Sequence, residues 1–195
     1  MRHEGIHPNG VTYSVAIAAC GNGGQWERAL ELLHQMREKN IAINAITYNA
    51  AISALAKASR NTMRRSVKSE TVRKYETGQT DGEEDTDSPQ SNKLSALIEN
   101  QGENALWRQA LNLLEQMREE GIERDAFSYS SAISACGAAG RWEEALELID
   151  IMQRGGPKTR PNKIAYTSAI SACGRSGKWE QAVKLFDDMK NDGLQ

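Results

Sequence analysis

Few residues of this sequence stand where catalysis would need them. Cys20, Cys136 and Cys173 are far apart, and no C-x-x-C pair exists. Each follows a tyrosine by seven residues, and the fourth such place holds Leu55. A position that accepts leucine is hydrophobic, so the thiols read as buried small hydrophobes in a reducing compartment rather than zinc ligands or a disulfide. His3, His7 and His34 fall at unrelated points, without a nucleophile–base pairing or a glycine-rich phosphate loop. Glu27, Glu143 and Glu180 recur just after a tryptophan, but an acid in a helix's first turn is expected from the helix dipole. No catalytic residue, metal site, cofactor or small-molecule substrate is therefore expected. What recurs is hydrogen-bonding chemistry. Ser14, Asn49, Ser130 and Thr167 each follow a tyrosine and vary within the polar set. Asn44, Asp125 and Asn162 each sit just before a helical stretch, where Asn and Asp are favoured N-caps.

These residues are held by a repeating unit. Tyr13, Tyr48, Tyr129 and Tyr166 are each followed by a tryptophan, Trp26, Trp107, Trp142 and Trp179, at a spacing of 13 in three of the four units. A methionine follows ten residues later: Met36, Met117, Met152, Met189. The undisturbed period is 35, which marks a solenoid or an array of small helical units. The segment SAISACG occurs verbatim at 131–137 and 168–174.

Each unit reads as two helices. Tyr13, Ile17 and Cys20 stand at i, i+4 and i+7 and share one face of the first helix. Ala and Ser between them leave room for close helix approach. Turns such as GNGGQ, GAAGR and GRSGK end it. The second helix begins at the tryptophan, with Trp26, Ala29, Leu30, Leu33 and Met36 as an apolar stripe. Gly5, Asn40, Gly121, Gly156 and Gly193, each four residues after a methionine, are placed as left-handed C-terminal caps. A single hairpin cannot bury its stripe, so the copies must stack.

The second unit carries an insert of 46 residues, about 61–106. Its middle is polar and acidic (DGEEDTDSP), so most of it is expected to be disordered; from about Asn92 it could extend the next helix backwards. Its first half is basic (Arg64, Arg65, Lys68, Arg73, Lys74). Long surface insertions cost little, so a tolerated loop is the default reading and a contact arm for RNA or protein the sharper one. Net charge is −2, and outside the insert 18 basic residues face 17 acidic ones. Any nucleic-acid binding must therefore rest on local placement rather than a bulk positive field. No run approaches the roughly 18 apolar residues that span a bilayer.

The pattern P-N-x-V-T-Y-S-x-x-I…G-x-W-E-x-A-L-x-L-x-x-x-M-R-E-x-x-I resembles the pentatricopeptide repeat family, over 1–60 and 107–195. The tetratricopeptide signature W-x2-L-G-x2-Y is absent from the first helix. The expected fold is all-α: a right-handed α-solenoid of helix–turn–helix repeats with a long, mostly disordered insert in the second repeat. The units are 1–9 (tail of a preceding repeat), 10–44, 45–125 with the insert, 126–162 and 163–195 (incomplete). Met1 stands where a preceding unit's methionine would be and Gln195 stops two residues short of a full unit, so a piece of a longer array is expected.

The resemblance implies an organellar (mitochondrial or plastid) binder of single-stranded RNA, one base per repeat, acting in RNA processing, stability or translation, although no targeting segment is visible. A protein-binding scaffold is the alternative, with other proteins as partners. Editing or cleaving relatives use added catalytic domains, and neither a deaminase H-x-E with C-x-x-C nor a nuclease acid cluster occurs here. By the same resemblance, the residue after the tyrosine and the last residue of the repeat read a base edge: Ser14 with Asn44, Asn49 with Asp125, Ser130 with Asn162, and Thr167 with a partner outside the chain. Val11, Ile46, Phe127 and Ile164, two places before each tyrosine, wedge the bases. The implied reading is 5′-A-U-A-(A or G)-3′. Two extra residues in RGGPKTRPN put the placement of Asn162 in question.

Overall fold

The computed structural model describes residues 8–77 and 106–194. The described residues form eight α-helices: α1 (Gly10–Asn22), α2 (Trp26–Glu38), α3 (Ala45–Thr77), α4 (106–119), α5 (Ala126–Ala138), α6 (Trp142–Arg154), α7 (Lys163–Arg175) and α8 (Trp179–Asn191). A short 3-10 turn, Pro157–Thr159, precedes α7. The first helices pack in sequence, α1 on α3, α3 on α5, α5 on α7, and α1, α5 and α7 each pack also against the second helix of their own pair. This is the stacked-hairpin architecture that the period implies.

Local chemistry sets each boundary. Asn9, Asn44, Asp125 and Asn162 accept from the backbone N–H three residues on, at 2.8–3.0 Å, so all four first helices start on a side-chain cap. Gly24, Gly140 and Gly177 turn the chain at positive φ before the next tryptophan. Asn40, Gly121 and Gly193 close α2, α4 and α8 in the same left-handed region. The following Ile41, Ile122 and Leu194 donate back to Met36, Met117 and Met189 at 2.8–3.1 Å, the six-residue closure of a Schellman cap.

The core runs through the stack. Ile17, Met36, Tyr48, Ile52, Leu55, Met117, Ile133, Cys136, Met152, Tyr166 and Cys173 are fully buried. Cys20 is half-buried. Burial pushes the Cys136 thiol up to about 12, so it behaves as the apolar filler its position implies. Two tryptophans are covered from the next unit: the Arg141 guanidinium lies 4.7 Å from the Trp107 ring centre and the Lys178 ammonium 5.1 Å from that of Trp142.

One feature goes beyond the expectation. The insert does not begin as a disordered loop: α3 is 33 residues long where the other first helices have 13, so residues 61–77 continue it. The reason is in the sequence. The other first helices meet glycines within about a dozen residues, whereas Ala45–Thr77 contains neither Gly nor Pro, and the next glycine is Gly78. Polar, charged residues without breakers propagate a helix that already has a buried anchor. The acidic middle of the insert, and the backward extension expected from Asn92, lie outside the described residues.

Two of the repeat tyrosines tie neighbouring units by their hydroxyls. Arg37 donates to Tyr48 at 2.5 Å and also to Gln116 and Glu120. Gln153 donates to Tyr166, which donates to Asp192 at 2.7 Å. Burial, and next the Glu120 carboxylate, pushes the Tyr48 phenol up to about 12 against the pull of Arg37. Burial and Asp192 do the same to Tyr166, also to about 12. Both folded values exceed the ordinary 10.0, so this contribution to stability is complete below pH 10 and is lost as pH rises toward 12. In alkaline titrations followed by phenolate absorbance, Tyr48→Phe and Tyr166→Phe should each remove one late-ionising phenol. A late phase unchanged in either variant would refute its assignment.

Candidate nucleic-acid interface

Val11, Ile46, Phe127 and Ile164 occupy the second helical residue of α1, α3, α5 and α7. They are 70%, 70%, 51% and 58% exposed. Single exposed hydrophobes are ordinary, but four at one register of four stacked helices form a row that folding does not explain.

Beside this row lie the polar residues. The Ser14 and Ser130 side chains are held by the preceding turn: each hydroxyl donates to the carbonyl four residues back, Gly10 and Ala126. Thr167 does the same to Lys163 at 2.7 Å. The capping residue of each following unit then comes alongside. The Ser130 hydroxyl shares its proton between Ala126 and Asn162, whose Oδ1 lies 3.0 Å away. Asn49 Nδ2 lies 3.4 Å from Asp125 Oδ1. Ser14 does not touch Asn44; its hydroxyl is 2.7 Å from Thr47 Oγ1, which donates to Asn44 Oδ1 at 3.0 Å.

The sequence reading missed that intermediary. Ser128 plays the same part in the next pair, donating to Asn49 Oδ1 at 2.6 Å and to Asp125 Oδ1 at 2.9 Å. The signal was available as a hydroxyl three residues after the cap, a capping-box spacing. Where that place holds Ala165, the serine reaches the cap directly. The two extra residues before Asn162 do not displace it. They are taken up by the 3-10 turn, where Thr159 donates to Met152 and Gly156 carbonyls at 3.2 Å. Thr167 is exposed, and no closing Asn or Asp stands opposite it among the described residues.

The caps leave a directed remainder. Oδ1 of Asn44, Asp125 and Asn162 is committed to the helix N–H. This orients each amide, so Asn44 and Asn162 present Nδ2, a donor, and Asp125 presents its second oxygen, an acceptor. The arrangement is a row of apolar ledges, each with a hydrogen-bonding group of defined polarity beside it. It suits flat, edge-bearing ligands. Among the described residues no group of His, Cys, Asp or Glu could hold a metal ion, and no helix is long and apolar enough to cross a membrane.

Comparison with known families gives a match to the PPR repeat family over residues 8–57, and to the PPR repeat over 127–157 and 164–194. These spans cover more than half of the sequence. The chain belongs to the PPR repeat family. A chloroplastic pentatricopeptide repeat-containing protein of Arabidopsis thaliana is 31% identical over 142 residues, 70% of this PPR chain and 20% of the relative. Pentatricopeptide repeat-containing protein 10 of Zea mays, also chloroplastic, is 29% identical over 134 residues, 69% of this chain and 11% of its own. The PPR chain thus spans a fifth or less of these relatives' lengths. The crystal structure of PPR10 with an 18-nucleotide psaJ RNA element superposes with a TM-score of 0.65, at 22% identity, over 98% of this chain and 21% of that one. The PPR domain of Arabidopsis protein-only RNase P 1, solved with tRNA, gives 0.64 at 12% identity, over 95% and 73%. Both show the same fold.

Proposed function

We propose that this PPR chain binds single-stranded RNA along the row formed by α1, α3, α5 and α7, one base per repeat. It is a binding module of a plastid RNA-processing, stability or translation factor. One observation carries the reading: exposed Val11, Ile46, Phe127 and Ile164 recur at one register beside groups whose polarity the helix caps fix. Bases stack on apolar side chains and present edges that amides and carboxylates can tell apart. The solved PPR10 and RNase P 1 relatives are RNA complexes, and the curated relatives from Arabidopsis and maize are chloroplastic. Ser14 with Asn44 reads A, Asn49 with Asp125 reads U, Ser130 with Asn162 reads A, and Thr167 selects a purine.

Asn44→Asp tests the scheme, because the fold tolerates it. Aspartate caps α3 as well as asparagine does, but it replaces the free donor by an acceptor. Adenine loses its partner at N1, and guanine, whose N1–H and exocyclic amine donate, gains one. The preference at the first base should move from A to G by about 1 kcal/mol or more. Binding to RNAs varied only at that base measures it, with Asn44 in enough flanking repeats for affinity. Equal loss for all four bases would reduce Asn44 to a cap; an unchanged profile would remove it from recognition.

A further inference from the structure

The continuation of α3 past Lys57 does more than lengthen a helix. It lies along the first-helix stack, and Ser59 donates to the Ala135 carbonyl at 3.3 Å. Between this extension, α5 and α7 opens a cleft of about 200 Å³. Arg60 and Arg64 line it from α3 and Arg175 from α7, with the hydroxyls of Ser134, Ser171 and Thr167 around them. Among the described residues no carboxylate lines it. Arg60 and Arg64 are one helical turn apart and repel. Burial, and then Arg64, lowers the Arg60 guanidinium; burial lowers that of Arg175. One Nη of Arg175 is anchored to the Gly137 carbonyl. Three cations are thus gathered, two of them partly desolvated, with no ion pair to any of them among the described residues. An anion relieves that cost.

We propose that this cleft binds the phosphodiester backbone of the RNA strand, with the continuation of α3 past Lys57 supplying two of its three arginines. The inference rests on the RNA reading above. Three features select a nucleic-acid backbone over other anions. Planar guanidinium forks match phosphate oxygens two at a time. The flanking hydroxyls make the wall polar without adding negative charge. Thr167 lines the cleft and also sits in the base-reading row, so a strand leaving Ile164 enters the cleft without a detour. An ordinary first helix of 13 residues would end near Lys57, short of both Arg60 and Arg64. The cleft is therefore a property of the lengthened α3 rather than of the ordinary repeat.

The test uses the whole chain with Arg60→Gln and Arg64→Gln together. Both side chains are exposed and glutamine has a similar helix propensity, so the thermal midpoint should hold. Binding is measured over a salt series for three strands of equal length: RNA containing A-U-A-A, the same RNA with those bases scrambled, and a base-free ribose-phosphate strand. The expected result is one common loss, roughly tenfold at low salt, and a log–log salt slope shallower by about 1.4. The preference for A-U-A-A over the scrambled strand should stay intact, and Arg60→Lys with Arg64→Lys should restore most of the slope. If the wild-type chain prefers A-U-A-A but the double variant binds all three strands like wild type, the cleft is overturned and base reading stands. If the wild type shows no base preference while the variant still loses the base-free strand, the cleft stands and base reading falls. A loss confined to the A-U-A-A strand overturns the cleft, as does displacement by inorganic phosphate at equal phosphate concentration, which would mark a free-phosphate site. Binding of none of the strands overturns both.

Discussion

Gly137→Ala is expected to destabilise the chain by about 1–2 kcal/mol, whereas Gly174→Ala stabilises it by up to about 1 kcal/mol. The two glycines occupy the same place in their repeats, and in an isolated helix alanine would improve both equally. They differ in what lies outside. A Cβ on Gly137 would stand 2.7 Å from the Ser168 carbonyl oxygen of α7, while one on Gly174 meets nothing within 4 Å. Backbone cannot rotate away as a side-chain tip can, so α5 and α7 must separate and unpack Ile133 and Tyr166. Gly21 is in the same position as Gly137, its Cβ falling 2.7 Å from that of Ala54. Comparing the two alanine variants cancels helix propensity and isolates the interface. Thermal unfolding should place their midpoints about 5 °C or more apart. Equal shifts would show that close helix approach does not hold the stack together.

Phe127→Ser should weaken RNA binding by about 1–3 kcal/mol, tenfold or more, while leaving the unfolding midpoint nearly unchanged. Phe127 is half-exposed in the free chain, so truncating it forfeits little burial. On the proposed reading its ring is a ledge for a base, and serine offers no stacking surface. Ile133→Ala is the counterpart. That side chain is fully buried six residues further along the same helix, and its truncation should cost about 2–5 kcal/mol of stability. Fluorescence anisotropy with labelled RNA, paired with thermal melts, separates the two. Lost stability with unchanged affinity in Phe127→Ser would make the exposed row a packing feature.

The sequence made the frame legible because the repeat averages out local ambiguity. Tyrosine, tryptophan and methionine recur at spacings that only a stacked helical hairpin satisfies. The caps at Asn40, Gly121 and Gly193 were readable because few residues accept positive φ. The candidate site was legible as a register of residues but not in how they connect. Ser14 lies opposite Asn44, yet Thr47 stands between them, since which hydroxyl bridges depends on the side-chain size at one neighbouring position. The extension of α3 was hidden by composition: a polar, charged stretch suggests disorder, but the lack of any glycine between Lys57 and Gly78 decided the matter. The arginine cleft follows from that extension, and no spacing in the sequence pairs Arg60 with Arg175.

Asn44, Asp125 and Asn162 each use one oxygen to start a helix and turn the other atom outward. On the proposed reading, this double use limits how such a protein can be retargeted during evolution. Exchanging asparagine and aspartate rewrites a letter of the recognised RNA at almost no expense in folding. Replacing either by an apolar residue would forfeit about 1 kcal/mol of helix stability whatever base it recognised. The alphabet available at these positions is thus filtered by the helix start before any RNA is met, and drift between targets should run along the Asn–Asp–Ser–Thr set.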